Sequence, residues 1–204
     1  MSNNTWPGRD EYYMRIAMAV RERANCRGSR VGAILVLNDR IISTGYNGTP
    51  EGMTNCDDGG CHRCAHREKY KPGQSYDVCI CVHAEENALL SAARFGIAIQ
   101  RADLYSTMRP CFGCTKEAIQ AKISRIFYLH EWEHPNKQVR PEYDKIQVKI
   151  PVKRIDIQDQ KKSWAVPKRS AKLGKQRNGT SRTDRSTQLH LVKPRSKNGR
   201  SNHA

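Results

Sequence analysis

His83-Ala84-Glu85 and Pro110-Cys111-Phe112-Gly113-Cys114 constrain this chain more than any other feature. Each stands where local signals predict that a helix begins. His83 to Phe95 consists of good helix formers with Gly96 placed to stop the helix, and Pro110 suits the first turn of a helix running to about Ala121. Ala102 to Met108, between the two, reads as a strand. Cys111 and Cys114 are three apart, so on a helix they project from one face and can grip one ion. The positive end of the helix dipole favours the thiolate form that binds metal. A fold in which His83 joins them has to bring the two helix starts together.

With His83, Cys111 and Cys114 as ligands, zinc would have three protein bonds and a fourth position for water, the arrangement of a catalytic rather than a structural site. Zinc lowers the pKa of water from about 16 towards 7. Glu85 is then expected to shuttle protons, first from the water, then to the substrate ring and the departing amine, and not to hold the metal. Taken singly the motifs are weak, because a Cys-x-x-Cys after a strand also fits a redox pair and His-x-Glu is common by chance. In this order, each at a helix start with one strand between, they match the signature of zinc deaminases.

The remaining pattern supports one α/β domain. Asp10 to Ala24 has Tyr13, Ile16, Ala17 and Val20 at helical spacing. Val31 to Leu37, the turn Asn38-Asp39 and Arg40 to Tyr46 read as a hairpin. Ile123 to Leu129 and Val152 to Ile157 are strand candidates, with an ambiguous helix over Pro141 to Lys149. The order α-β-β-α-β-α-β-(α)-β predicts a mixed five-stranded sheet between helices. Thr49 to Asp77 is rich in Gly, Cys, His and charge without any period, and a loop this long is usually functional or held by something.

Charge is uneven. Of the net +16, residues 160 to 204 carry thirteen Lys or Arg against the single acid Asp184, which leaves the first 159 residues nearly balanced. We therefore expect a catalytic domain over 1–159, with a Cys-rich insert at 49–82, and a disordered basic tail over 160–204 that lacks the apolar content to offset the entropy of ordering. The tail would contact nucleic acid weakly, by counterion release. The first 25 residues lack the uninterrupted apolar core of a leader, and no apolar run approaches the roughly 18 residues of a membrane span. The expectation is a soluble cytoplasmic protein with no membrane partner, whose thiols stay reduced. All eight cysteines lie between Cys26 and Cys114, which in that setting points to metal.

From about Val31 to His130 the chain resembles the deoxycytidylate deaminase family. The resemblance rests on Ser43-Thr44-Gly45-Tyr46-Asn47-Gly48-Thr49-Pro50, on Asn55-Cys56-Asp57-Asp58-Gly59-Gly60-Cys61-His62-Arg63-Cys64, and on His83-Ala84-Glu85-Glu86-Asn87-Ala88-Leu89-Leu90. It implies a three-layer α/β/α cytidine-deaminase-like fold, hydrolysis of dCMP to dUMP and ammonia, and homo-oligomers regulated by dCTP and dTTP. It also implies a sugar contact at Asn47 and a backbone contact to the pyrimidine carbonyl at Ala84. A second, structural zinc is implied at Cys26, Cys56, Cys61 and Cys79. Cys64, His62 and His66 are alternatives, and Cys81 would simply pack under the helix; the six could also be idle buried thiols.

A 5'-phosphate needs cationic or backbone N–H donors, and Arg27, Arg30, Arg109 and Lys116 flank the expected pocket. Two other functions compete. One is a zinc deaminase acting on another nucleoside or base, or on a polynucleotide such as tRNA; the other is a non-catalytic zinc module that binds nucleic acid. Glu85 argues against the second, since a structural site has no use for that acid.

Overall fold

The computed structural model describes residues 6–70, 78–134 and 136–165. Its centre is a five-stranded sheet in the order β2-β1-β3-β4-β5. The strands are β1 (Gly32–Leu37), β2 (Arg40–Tyr46), β3 (Asp103–Met108), β4 (Arg125–His130) and β5 (Val152–Arg154). β1 pairs antiparallel with β2 and β3, whereas β3, β4 and β5 run parallel, so the sheet is mixed as expected. The β1–β2 turn uses Asn38 and Asp39 at φ +49° and +61°, the left-handed angles that Asn and Asp tolerate.

Both faces of the sheet are covered, which explains why β1 reads as an unbroken apolar run instead of an alternating one. Successive side chains in a strand point to opposite faces. Ile34, Val36, Tyr105, Phe127 and Leu129 therefore pack with Tyr13, Met14 and Ala17 of α1 (Arg9–Val20). Ala33, Leu35, Leu104 and Ile126 face the other way, against Ala84, Ala88, Leu89 and Ala92 of α3 (Ala84–Arg94) and Ala118 of α4 (Phe112–Gln120). This is the three-layer α/β/α arrangement. Gly96, at φ +65°, ends α3 where the sequence placed its stop.

Several boundaries differ from the sequence reading. α1 ends at Val20 and tightens into a 3₁₀ turn over Arg21–Arg23, short of Ala24. The aperiodic insert contains short helical turns at Cys56–Asp58, α2 (His62–Ala65) and Arg67–Lys69, each too short to leave a period. The ambiguous helix forms as α5 (Arg140–Gln147).

The expected boundary at residue 159 falls inside packed structure. Arg21, 1% exposed, donates two hydrogen bonds to Asp159 at 2.7 and 2.8 Å, and His130 Nε2 lies 2.6 Å from the same carboxylate. Beyond it, α6 (Lys162–Ala165) carries a fully buried Ala165, and the Trp164 carbonyl accepts from Arg30 N at 2.8 Å. The packed chain therefore reaches at least Ala165. The rest of the expected tail, 166–204, lies outside the described residues. Among the described residues no helix is long and apolar enough to cross a membrane.

Candidate active site

The two helix starts meet. His83 is the N-cap of α3 and Cys111 the N-cap of α4, so both stand one position before the helices proper, while Cys114 lies in the first turn of α4. α3 approaches β2 closely at Gly45, where a Cβ would sit 2.1 Å from Ala84 O and 2.4 Å from Ala88 N. Only glycine lets the start of α3 lie that near the sheet. Glu86 accepts from His83 N at 3.4 Å, which holds the turn that presents the imidazole.

His83 Nδ1 lies 3.4 Å from Cys111 Sγ and 3.4 Å from Cys114 Sγ, and the two sulfurs are 3.6 Å apart. Tetrahedral zinc with Zn–S of about 2.3 Å and Zn–N of about 2.0 Å needs S···S near 3.8 Å and S···N near 3.5 Å. The three atoms fit one zinc ion to within a few tenths of an ångström. Without an ion the site carries protons that zinc would displace, because a ligating imidazole is neutral and a ligating cysteine is a thiolate. Hydrogen bonding to Cys111 outweighs burial and holds His83 up at about 9. The Cys111 thiol is pulled well down, first by its bond with Cys114 and then, against burial, by His83. Cys111 thus offers a thiolate at neutral pH, whereas its bond with Cys111 and burial push the Cys114 thiol up, so binding zinc would release protons from Cys114 and His83.

Glu85 stands beside these ligands and is 4% exposed. Burial pushes its carboxyl up, partly offset by the nearby His83 and by Ser106, whose hydroxyl donates to Glu85 Oε1 at 2.7 Å. Ser106 was not singled out from sequence. The signal was present, because Ser106 and Thr107 are polar residues inside a strand whose neighbours are apolar, and both are fully buried. Tyr143 of α5 was also missed. Its hydroxyl donates to Pro110 O at 2.6 Å and so fixes the peptide just before Cys111.

The other expected contacts are more constrained. Asn47 is 6% exposed, its Oδ1 accepts from Val31 N at 2.8 Å and its Nδ2 donates to Ser29 O at 2.7 Å. It shapes the 29–31 segment and keeps one donor and one lone pair to spare. Ala84 is buried at the first position of α3, where the backbone N–H has no partner within the helix. Arg109 bonds to Glu131 at 2.6 Å and to Gln147 at 3.1 Å. Arg30 lies over the Trp164 ring and Lys116 over Phe112, so three of the four cations considered for phosphate have other company.

The remaining cysteines gather, but not as the quartet expected. One group joins Cys26, Cys56, Cys64 and Cys81, and a second joins Cys61, Cys64, Cys79 and Cys81. The expected set of Cys26, Cys56, Cys61 and Cys79 is split between them. Cys64 belongs to both groups, and so does Cys81, which had been expected only to pack beneath the helix. His62 and His66 lie ring to ring at 4.2 Å and belong to neither group.

This sheet, with two helix starts converging on a His/Cys/Cys set and a buried glutamate, defines a protein of the cytidine-deaminase-like α/β/α class. The chain belongs to the family of the cytidine and deoxycytidylate deaminase zinc-binding region, whose model matches residues 7–130. It is similar to the deoxycytidylate deaminase of Schizosaccharomyces pombe, with 44% identity over 126 residues, 62% of this chain and 38% of that protein. The deoxycytidylate deaminase of Mycobacterium phage D29 is 37% identical over 139 residues, 64% of this chain and 99% of the phage protein. The crystal structure of dCMP deaminase from the cyanophage S-TIM5 in complex with dCMP and dUMP superposes with a TM-score of 0.56 at 29% identity, covering 74% of this chain and all of the phage chain. The chain spans about two fifths of the length of the two yeast relatives it matches.

Proposed function

We propose that this chain hydrolyses dCMP to dUMP and ammonia, with His83, Cys111 and Cys114 as ligands of a catalytic zinc and Glu85 as the proton shuttle. The observation that carries the reading is the buried Glu85 carboxylate beside a three-ligand set of tetrahedral edge lengths. Such a set leaves a fourth position open, as catalytic zinc requires. Bound there, zinc supplies Lewis-acid activation of water at neutral pH.

The chain's own residues supply the rest. Glu85 takes a proton from the attacking water and places it on ring N3 as the bond to C4 forms. It then takes the remaining proton from the new C4 hydroxyl and passes it to the amine as the C4–N bond breaks and the C4 carbonyl forms, so one carboxylate serves as base and acid in turn. A raised carboxyl pKa suits both halves of that cycle, and Ser106 holds the oxygen in place between them. Ala84 N–H, at the positive end of α3 and without a partner in the helix, would receive the pyrimidine carbonyl, and the spare valences of Asn47 would serve the sugar. The choice of dCMP is supported by the names of the relatives and by the nucleotides in the cyanophage structure.

Homo-oligomers and regulation by dCTP and dTTP belong to the same proposal, and Leu90 and Phe95, 54% and 69% exposed near the end of α3, offer an apolar contact surface. The test is ammonia release from dCMP, deoxycytidine and a tRNA side by side, with and without chelation. Turnover confined to deoxycytidine or tRNA would overturn the substrate. Undiminished dCMP turnover in metal-stripped protein would overturn the mechanism.

A further inference from the structure

Six cysteines stand apart from the proposed catalytic set and form a packed cluster of their own. Cys26, Cys56, Cys61, Cys64 and Cys81 are buried, and the partly buried Cys79 packs against them. Among the described residues no other apolar side chain joins that cluster. The insert it supports carries charge and glycine but no apolar centre, so sulfur stands where a core would be.

We infer that these six thiolates hold two zinc ions in one binuclear cluster bridged by Cys64 and Cys81. Geometry supplies the first argument. Cys26 to Cys64 is 3.9 Å, Cys61 to Cys79 is 3.8 Å and Cys64 to Cys79 is 3.8 Å. The edge of a zinc–thiolate tetrahedron is about 3.8 Å for a Zn–S bond of about 2.3 Å, whereas a disulfide needs about 2.05 Å. The sulfurs are spaced as the corners of metal-centred tetrahedra.

Ligand counting supplies the second argument. Closed structural zinc takes four ligands, so two separate ions would need eight thiolates, and this cluster has six. The two groups of four share Cys64 and Cys81. Two tetrahedra joined along that common edge use every sulfur once as a terminal ligand or twice as a bridge. A single ion would instead strand either Cys26 and Cys56 or Cys61 and Cys79. Neither pair is the natural one to leave out, since Cys56 and Cys61 are both fully buried.

Electrostatics also fits. Six thiolates and two dications leave a net charge of −2, and backbone N–H groups meet that charge. Arg27 N donates to Cys56 Sγ and Gly28 N to Cys26 Sγ, each at 3.3 Å, while Arg67 braces this loop by donating to Arg27 O at 2.8 Å. The cluster also borders the proposed active site in sequence. Cys81 precedes Val82, which exchanges two hydrogen bonds with Gly48, and His83 follows. Two metals would thus fasten the segment after α1, the insert and the approach to α3 at one point.

Metal counting on the full-length chain, purified with zinc present, tests this. Three zinc ions per chain are expected by plasma mass spectrometry, and two in Cys111→Ser/Cys114→Ser. After exchange with ¹¹³Cd, two resonances in the tetrathiolate range should be coupled to each other through the bridging sulfurs. Cys64→Ser should lose both cluster metals and Cys61→Ser should keep at most one. If those variants do not fold, the count and the cadmium spectrum of the unmutated chain decide alone. A single tetrathiolate cadmium, two of the six thiols alkylated in the native protein, or an intact mass showing disulfides would each overturn the cluster. None of these readouts uses turnover, so a chain that holds the cluster yet leaves dCMP untouched would sink the proposed function and leave this inference standing.

Discussion

The hydroxyl of Ser106 donates to Glu85 Oε1 at 2.7 Å, joining the middle of β3 to the first turn of α3 inside the core. The glutamate proposed to move protons is therefore aimed by a strand that carries no part of the His-x-Glu motif. Ser106 acts through Glu85, so its effect should appear in the chemical step and not in binding. Ser106→Ala is expected to lower kcat for dCMP about tenfold, the equivalent of one hydrogen bond to a charged group at roughly 1.5 kcal/mol, with KM unchanged. An equal rise in KM would assign Ser106 to substrate binding.

Glu85→Gln should keep its zinc and lose turnover by at least about 10²–10⁴-fold, the usual contribution of a general acid–base group. Metal analysis and activity are to be measured on one preparation. Zinc lost in proportion to activity would mean that Glu85 supports the metal instead.

Gly45→Ala tests the seat of the helix that presents His83. Its Cβ would meet the backbone of α3 at Ala84 and Ala88, and neither can give way without moving the helix. A loss of about 1–3 kcal/mol is expected from overpacking, read as a lower urea midpoint, together with reduced kcat in the protein that remains folded. Unchanged stability would show that α3 can slide along the sheet without cost.

Chain length separates the tail from the fold. A chain ending at Ala165 should keep its Tm and its kcat/KM for dCMP, and should lose any salt-sensitive retention of RNA or DNA. A chain ending at Asp159 loses the buried Ala165 and the Trp164 contacts to Arg30. Its Tm should fall by about 2–4 °C for each kcal/mol removed. Equal Tm values for the two chains would return the boundary to 159.

Acid stability should depend on Asp159. Burial alone would push its carboxyl up, but hydrogen bonds from Arg21 and His130 more than offset that and hold it well below its ordinary value of 3.8. A carboxyl lowered on folding stabilises the native state above its unfolded pKa, and that contribution is lost as pH falls below it. Urea midpoints should therefore decline from about pH 4 downward. Asp159→Asn should be less stable near neutrality and show a shallower decline. Parallel curves would place the acid sensitivity elsewhere.

The sequence by itself determined what depends on neighbours along the chain. The run of helix formers from His83 to Gly96, the Pro110 start, the Asn38-Asp39 turn and the apolar β1 all follow from local rules, and with them the sheet and the gathering of His83, Cys111 and Cys114, the ligands proposed for zinc. Spacing sufficed there because the two ligand motifs begin adjacent helices. Tertiary structure decided the rest. Cys64 and Cys81 fall in both sulfur groups only because the insert folds back on the segment entering α3, a crossing that no periodicity records. The Asp159 side chain is covered where Arg21, at the start of the turn that follows α1, faces it from 138 residues away. Partners so distant are chosen by the path of the chain through the core, and a pattern read over a few turns carries no information about that path.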